Sequence, residues 1–323
     1  MIEFTSRTIM ELSRMGMRKA FGSFIYDIAG QHKDLIVLSA DTSSSANMGR
    51  FISEYPNQFY NIGIAEQNMT GIAAGLAKEG NNVFIVSFAP FVAMRNYESI
   101  RTLVGYMNLN VKIVALASGF SMGVQGNTHY CLEDISLMKT IPGMKILSPA
   151  DVVEERKCLE YLADYTGPAY LRLTGIDGSP AVFKPDYSFD PEEPELLREG
   201  EDVVILGTGS VIAECVRASR LLKKEGLSCA VYNVCQLKPF NSAFLQNAIH
   251  NTRLVVTVEE HYITGGMGGI VCEEMCSLSK PIHVLRIGVS DEFPHAGDYS
   301  YLQGVTGLNS QSIVNNILGF FQQ

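Results

Sequence analysis

What most constrains this chain is an alternation of short apolar runs with longer stretches of helical periodicity. From Thr8 to Gln31 apolar residues recur at helical spacing, and Asp34-Leu35-Ile36-Val37-Leu38-Ser39-Ala40-Asp41 then reads as a short buried strand ending in an acid. The pattern repeats with a small-residue helix from Asn68 to Lys78, a strand from Val83 to Phe88, a helix from Val92 to Val104 and a strand from Val111 to Ala117. Such alternation predicts a parallel sheet covered by helices on both faces. Ligands of such sheets gather beyond the carboxyl ends of the strands, so the segments after Ala40, Val86 and Ala117 are where chemistry is expected. Ser148-Pro149-Ala150-Asp151 suits a helix start, with the helix running through Val153 to Leu162.

Four prolines (Pro180, Pro185, Pro191, Pro194), several acids and little periodicity mark 183–201 as a linker. Beyond it the alternation resumes: a strand at Val203 to Leu206, a glycine turn at Gly207 to Ser210 and a helix from Val211 to Glu225. Strands at Ala230 to Val234, Leu254 to Glu259 and His283 to Ile287 follow, and a last helix at Ser310 to Phe321. The expected fold is α/β, with two doubly wound parallel-sheet domains at 1–182 and 202–323, which a chain of 323 residues can furnish with two cores.

A net charge of -9 without any Lys/Arg-rich cluster argues against nucleic acid and anionic membranes, since phosphate surfaces demand a concentrated positive field. No apolar run reaches membrane-spanning length and the first eighteen residues lack a signal-peptide block, so a cytoplasmic location is expected. The seven cysteines are odd in number and contain no CxxC pair, which suggests neither a disulfide framework nor a zinc site. The glycine runs at Gly207–Ser210 and Gly265–Gly269 lack dinucleotide or Walker spacing and are read as structural.

Asn61-Ile62-Gly63-Ile64-Ala65-Glu66-Gln67-Asn68-Met69 is the most informative stretch. A glutamate entering a helix rich in Gly and Ala is open to desolvation, which favours binding or sharing a proton; equally, an acid there suits the helix dipole. Phe88 and Phe91, three apart at a strand-to-helix junction, suit either a core or a ring-stacking surface. Gly126-Asn127-Thr128-His129 places a histidine in a loop, followed by Ile141-Pro142-Gly143 and Ser148-Pro149-Ala150-Asp151.

Together these strings resemble the second and third domains of transketolases: Gly-Ile-x-Glu-x-x-Met, Phe-x-x-Phe, Gly-x-Thr-His and Pro-x-Asp, then Glu259-Glu260 and Gly265-Gly266-Met267-Gly268-Gly269. The resemblance implies a thiamine-diphosphate enzyme in which Glu66 bonds a pyrimidine nitrogen and favours the imino tautomer that deprotonates the thiazolium carbon. Phe88 and Phe91 would stack on the pyrimidine, with Ile64 and Asp41 also on the coenzyme side. His129 would face the substrate hydroxyls or the forming alkoxide, and Arg172 would bind a substrate phosphate. Arg18 and Ser45, in the Asp41-to-Asn47 loop, resemble elements near the substrate channel.

Two departures stand out. The chain has Ser118-Gly119-Phe120 and Gln125 where transketolases acting on phosphorylated ketoses carry a second histidine and an acid, and Met94 where a further aromatic is common. It also contains no Gly-Asp-Gly, the family motif that anchors Mg2+ on the diphosphate. The implied arrangement is a split enzyme: this chain, a diphosphate-binding N-terminal subunit supplying the Mg2+ ligands, and an α2β2 heterotetramer that transfers a two-carbon ketol unit between small sugars. The beta subunit of a 2-oxo-acid dehydrogenase decarboxylase, a 1-deoxyxylulose-5-phosphate synthase-like enzyme and a non-catalytic regulatory subunit are the alternatives.

Overall fold

A computed structural model describes residues 2–250 and 252–322. The strands, in chain order, are β1 (Leu35–Ser39), β2 (Phe59–Asn61), β3 (Asn82–Phe88), β4 (Val111–Leu116), β5 (Lys145–Leu147), β6 (Ala169–Arg172), β7 (Glu195–Arg198), β8 (Val203–Thr208), β9 (Cys229–Asn233), β10 (Gln236–Lys238), β11 (Leu254–Tyr262) and β12 (Val284–Val289). They form a seven-stranded sheet of order β10-β5-β6-β4-β3-β1-β2 and a five-stranded sheet of order β12-β11-β8-β9-β7. Pairing is parallel except at β10–β5 and β7–β9, each antiparallel at one edge. The chain is thus α/β, with two parallel-dominated sheets rather than two purely parallel ones.

The central strands are almost wholly apolar and buried at every position, because helices cover both faces and leave no side for polar residues. Two apolar cores result, one holding the Met17–Ala29 helix with Phe21, Phe24 and Ile25, the other holding Met69, Ala73, Val92 and Ile113. The expected helix over 8–31 is two helices, Ser6–Met15 and Met17–Ala29, divided at Gly16, whose φ of 73° stops the first. The helix expected from Ser148 begins at Val152 instead, because Asp151 caps it by accepting from the Val153 and Glu154 amides.

The 183–201 stretch expected as a linker is packed. Phe183 and Tyr187 stack with centroids 3.9 Å apart, the Val182 and Phe183 amides donate to Asp151 Oδ2, and β7 pairs with β9. In the other direction, β10 leaves the second half of the chain to join the first sheet, with Lys145 Nζ donating to Gln236 Oε1 at 2.8 Å. The two sheets are therefore laced together. In the first sheet, β1 has β2 on one side and β3 on the other, so the chain reverses direction across the sheet at β1, the position where doubly wound sheets open a crevice at their carboxyl ends.

Candidate active site

The crevice is floored by the segments that leave β1, β2, β3 and β4. After β1, Asp41 adopts φ 58°, a left-handed conformation costly for a non-glycine residue, and is held there by Asn61: Asn61 Oδ1 accepts from the Asp41 amide and Asn61 Nδ2 donates to Asp41 Oδ1, each at 3.1 Å. The same Asn61 oxygen accepts from the Gly63 amide at 3.1 Å. One side chain therefore fixes both the β1 loop and the turn that delivers Glu66. Gly63, at φ 76°, allows that turn.

Glu66 is the first residue of the Glu66–Lys78 helix and is only 2% exposed. Its burial follows from the helix sequence, whose Met69, Ala73 and Ala77 stripe packs into the core and draws the first turn in with it. Beyond β3 the chain winds through a π-helical segment, Phe91–Arg95, then Tyr97–Ser99 and a second π-helical segment, Ile100–Tyr106, in place of the regular helix that periodicity predicts over 92–104. Wide turns of this kind recur at functional sites. Here the segment is tied to the Glu66 helix: Asn96 Nδ2 donates to Thr70 Oγ1, Gln67 Nε2 donates to the Arg95 carbonyl at 3.3 Å, and Arg95 Nη1 donates to Glu66 Oε2 at 2.9 Å.

Phe88 and Phe91 meet edge to face with centroids 6.5 Å apart, and Phe91 meets the His129 ring in the same way at 5.6 Å. The Arg95 guanidinium carbon lies 4.6 Å from the Phe91 ring centroid. Thr128 Oγ1 and His129 Nδ1 are 2.9 Å apart. The His129 loop is carried by a tight turn, Gly123–Thr128, braced by the second half of the chain: the Gly297 amide donates to the Gly123 carbonyl at 3.2 Å and Tyr130 Oη to the Pro294 carbonyl at 3.0 Å. A Cβ at Gly123 would overlap Leu302 Cδ1, so only glycine lets the loop sit so close.

Glu66, Phe88, Phe91 and His129 thus come together, with Asp41 joined to them through Asn61. Ile64 precedes the group and stands 77% exposed at its rim. Ser45 is exposed in the loop after β1, whose Ala46 and Asn47 carbonyls lie over Gly22. Arg18 lies elsewhere, lining a cleft of about 210 Å³ with Gly16, Ser121, Gly175 and Asp177. Arg95 and Asn61 are the site residues that sequence reasoning missed; Arg95 was hidden because a regular helix gives no reason to aim it at Glu66.

Arg172 requires correction. Its side chain is fully buried, Nε bonds the Asp134 carboxylate at 2.9 Å and Nη2 donates to the Glu260 carbonyl at 2.8 Å. Asp134 also accepts from Tyr170 Oη at 3.0 Å, and no solvent path is left for a phosphate. The arginine clamps the first sheet to the β11 segment. Neighbouring Glu260 is pushed up to about 7 by burial, which outweighs its bonds from Tyr299 and the Phe120 amide. Glu259 instead caps the Met267–Cys276 helix, accepting from the Met267 and Gly268 amides at 2.6 and 2.8 Å, which explains the glycine run structurally.

Residues 13–177 match the family model described as transketolase, pyrimidine binding domain, and 192–313 match that described as transketolase, C-terminal domain. The chain belongs to the transketolase family. Among relatives of this transketolase chain is one of the two apulose-4-phosphate transketolase subunits of Actinobacillus succinogenes, 36% identical over 283 residues, covering 87% of this chain and 91% of that protein. A 6-deoxy-6-sulfo-D-fructose transketolase subunit of a Clostridium species is 33% identical over 315 residues, covering 94% of each. A solved split-gene transketolase, described as an inactive beta4 tetramer, superposes with a TM-score of 0.85 at 35% identity, covering 94% of this chain and 97% of that one. The transketolase chain thus carries the pyrimidine-binding and C-terminal domains and acts as a transferase subunit of a split enzyme. No helix among the described residues is long and apolar enough to cross a membrane.

Proposed function

We propose that this chain is the pyrimidine-side subunit of a thiamine-diphosphate-dependent transketolase that moves a two-carbon ketol unit from a ketose donor to an aldose acceptor. The observation that carries the reading is the convergence of a buried carboxylate, Glu66, with the Phe91 ring and His129 at the switch point of the first sheet. A buried acid beside an aromatic face fits the ring nitrogen and flat faces of an aminopyrimidine. When bound, the coenzyme supplies the carbanion chemistry that breaks and forms the carbon–carbon bond.

This chain's own residues bind, orient and move protons. Glu66 holds the ring-nitrogen proton, Phe88 and Phe91 fix the ring plane, and Asp41 with Ile64 lines the coenzyme side. His129 donates to the substrate oxygen on which charge develops, its orientation set by Thr128. Among the described residues no cluster of three His, Cys, Asp or Glu could hold a metal ion, so Mg2+ ligands for the diphosphate fall to an N-terminal subunit, in an α2β2 assembly. A cytoplasmic location suits such an enzyme. With Ser118 and Gln125 replacing a histidine and an acid, and Arg172 clamped, a modified or non-standard sugar is the favoured donor.

Co-expression with a diphosphate-binding transketolase subunit, followed by assay of ketol transfer from phosphorylated and unphosphorylated ketoses, tests the proposal. Glu66→Gln is expected to abolish transfer while leaving assembly intact. Transfer at the wild-type rate in that variant would refute it.

A further inference from the structure

Glu66 and Phe91 are the two groups through which the proposed function attaches this chain to an aminopyrimidine, and one side chain already engages both. Arg95 Nη1 donates to Glu66 Oε2 at 2.9 Å while its guanidinium lies 4.6 Å from the Phe91 centroid. Glu66 is 2% exposed and the Arg95 side chain 49%, so the guanidinium lies over a buried carboxylate from the solvent side. We propose that Arg95 stands in for the aminopyrimidine: it is a planar N–C–N donor stacked on Phe91 and bonded to Glu66, and the coenzyme ring must displace it to bind.

The chemistry of the two groups is alike. A guanidinium is flat and delocalised, bonds carboxylates along its edge and stacks on aromatic faces, and an aminopyrimidine offers an N–C–N edge and a π face to the same partners. Displacement is feasible because the backbone and the side chain are held differently. The Arg95 carbonyl is anchored by Gln67 and the next residue by Thr70, while the half-exposed head is free to turn into water about its own torsions. A stand-in of this kind keeps the Glu66 charge compensated before the coenzyme arrives, at the expense of coenzyme affinity.

The inference rests on the proposed function, and calorimetric titration of thiamine diphosphate into the magnesium-loaded complex with the diphosphate-binding subunit tests the two separately. Arg95→Ala is expected to bind the coenzyme about tenfold more tightly than wild type, a change of about 1.4 kcal/mol. Guanidinium chloride, matched against sodium chloride, is expected to weaken binding to Arg95→Ala by competition and to leave wild type unchanged, an effect that loss of a merely structural residue does not produce. Unchanged or weaker coenzyme binding in Arg95→Ala overturns the stand-in. Should that variant fail to assemble, Arg95→Lys carries the test, since it keeps the charge and loses the flat stacking face: several-fold tighter binding supports the proposal and equal or weaker binding overturns it. A wild-type complex that binds no thiamine diphosphate takes down the functional reading as well.

Discussion

Asp134→Ala strikes the most heavily buried ion pair in the chain, with both partners at 0% exposure. The substitution strands the Arg172 charge away from water, leaves Tyr170 Oη without its acceptor, and acts where Arg172 Nη1 already has no hydrogen-bond partner. Removing one member of such a pair costs about 3–5 kcal/mol, because the surviving charge keeps its desolvation penalty and loses its compensation. At roughly 2–4 °C per kcal/mol for a domain of this size, the melting temperature is expected to fall by roughly 6–20 °C. The assay is thermal unfolding by circular dichroism, with urea unfolding as a check, and an Asp134→Leu/Arg172→Met double variant is expected to recover most of the loss. A drop of less than about 1 kcal/mol, within the range of an exposed pair, would refute the clamp. So would an Arg172→Lys variant that melts like wild type yet raises the KM for a phosphorylated donor, the behaviour of a substrate anchor.

Gly266→Ala would drive a Cβ into Glu259 Oε2, displacing the cap of the Met267–Cys276 helix; a loss of about 1–3 kcal/mol is expected in urea unfolding, and an unchanged midpoint would contradict it. Glu154, raised to about 8 by burial against Asn233 and Tyr187, binds its proton more tightly folded than unfolded. Its contribution to stability is therefore full below about pH 4.5 and is lost as pH rises toward 8, at no more than about 1.4 kcal/mol per pH unit. Glu154→Gln is expected to flatten the fall in melting temperature between those limits, and a profile parallel to wild type would remove Glu154 as its source. Phe91→Ala is expected to weaken coenzyme binding about tenfold by calorimetry, whereas His129→Ala is expected to lower kcat/KM by roughly 100- to 1,000-fold with coenzyme affinity intact; the opposite split would exchange their roles.

Much of the fold was legible because the central strands are buried on both faces, and apolar runs such as Val111–Leu116 and Val203–Thr208 leave little choice of structure. The edges were not legible. β2, β5, β7 and β10 are three or four residues long and mix polar with apolar positions, so their pairing is decided by neighbours distant in sequence. Within the site, Glu66, the two phenylalanines and His129 could be singled out because each sits where a strand or turn signal ends. Arg95 could not, since its contact with Glu66 depends on a wide helical turn that periodicity does not announce. Arg172 misled for a related reason: an arginine at a strand end looks the same in sequence whether it faces ligand or a buried aspartate.

The most direct measurement is a structure of the assembled complex with thiamine diphosphate and Mg2+ bound. The account predicts a Glu66 carboxylate oxygen at hydrogen-bonding distance, about 2.7–3.2 Å, from a pyrimidine ring nitrogen, with Phe91 against the ring face and Arg95 turned away. A coenzyme seated elsewhere, with Glu66 still bonded to Arg95 and beyond bonding reach of the ring, would contradict it.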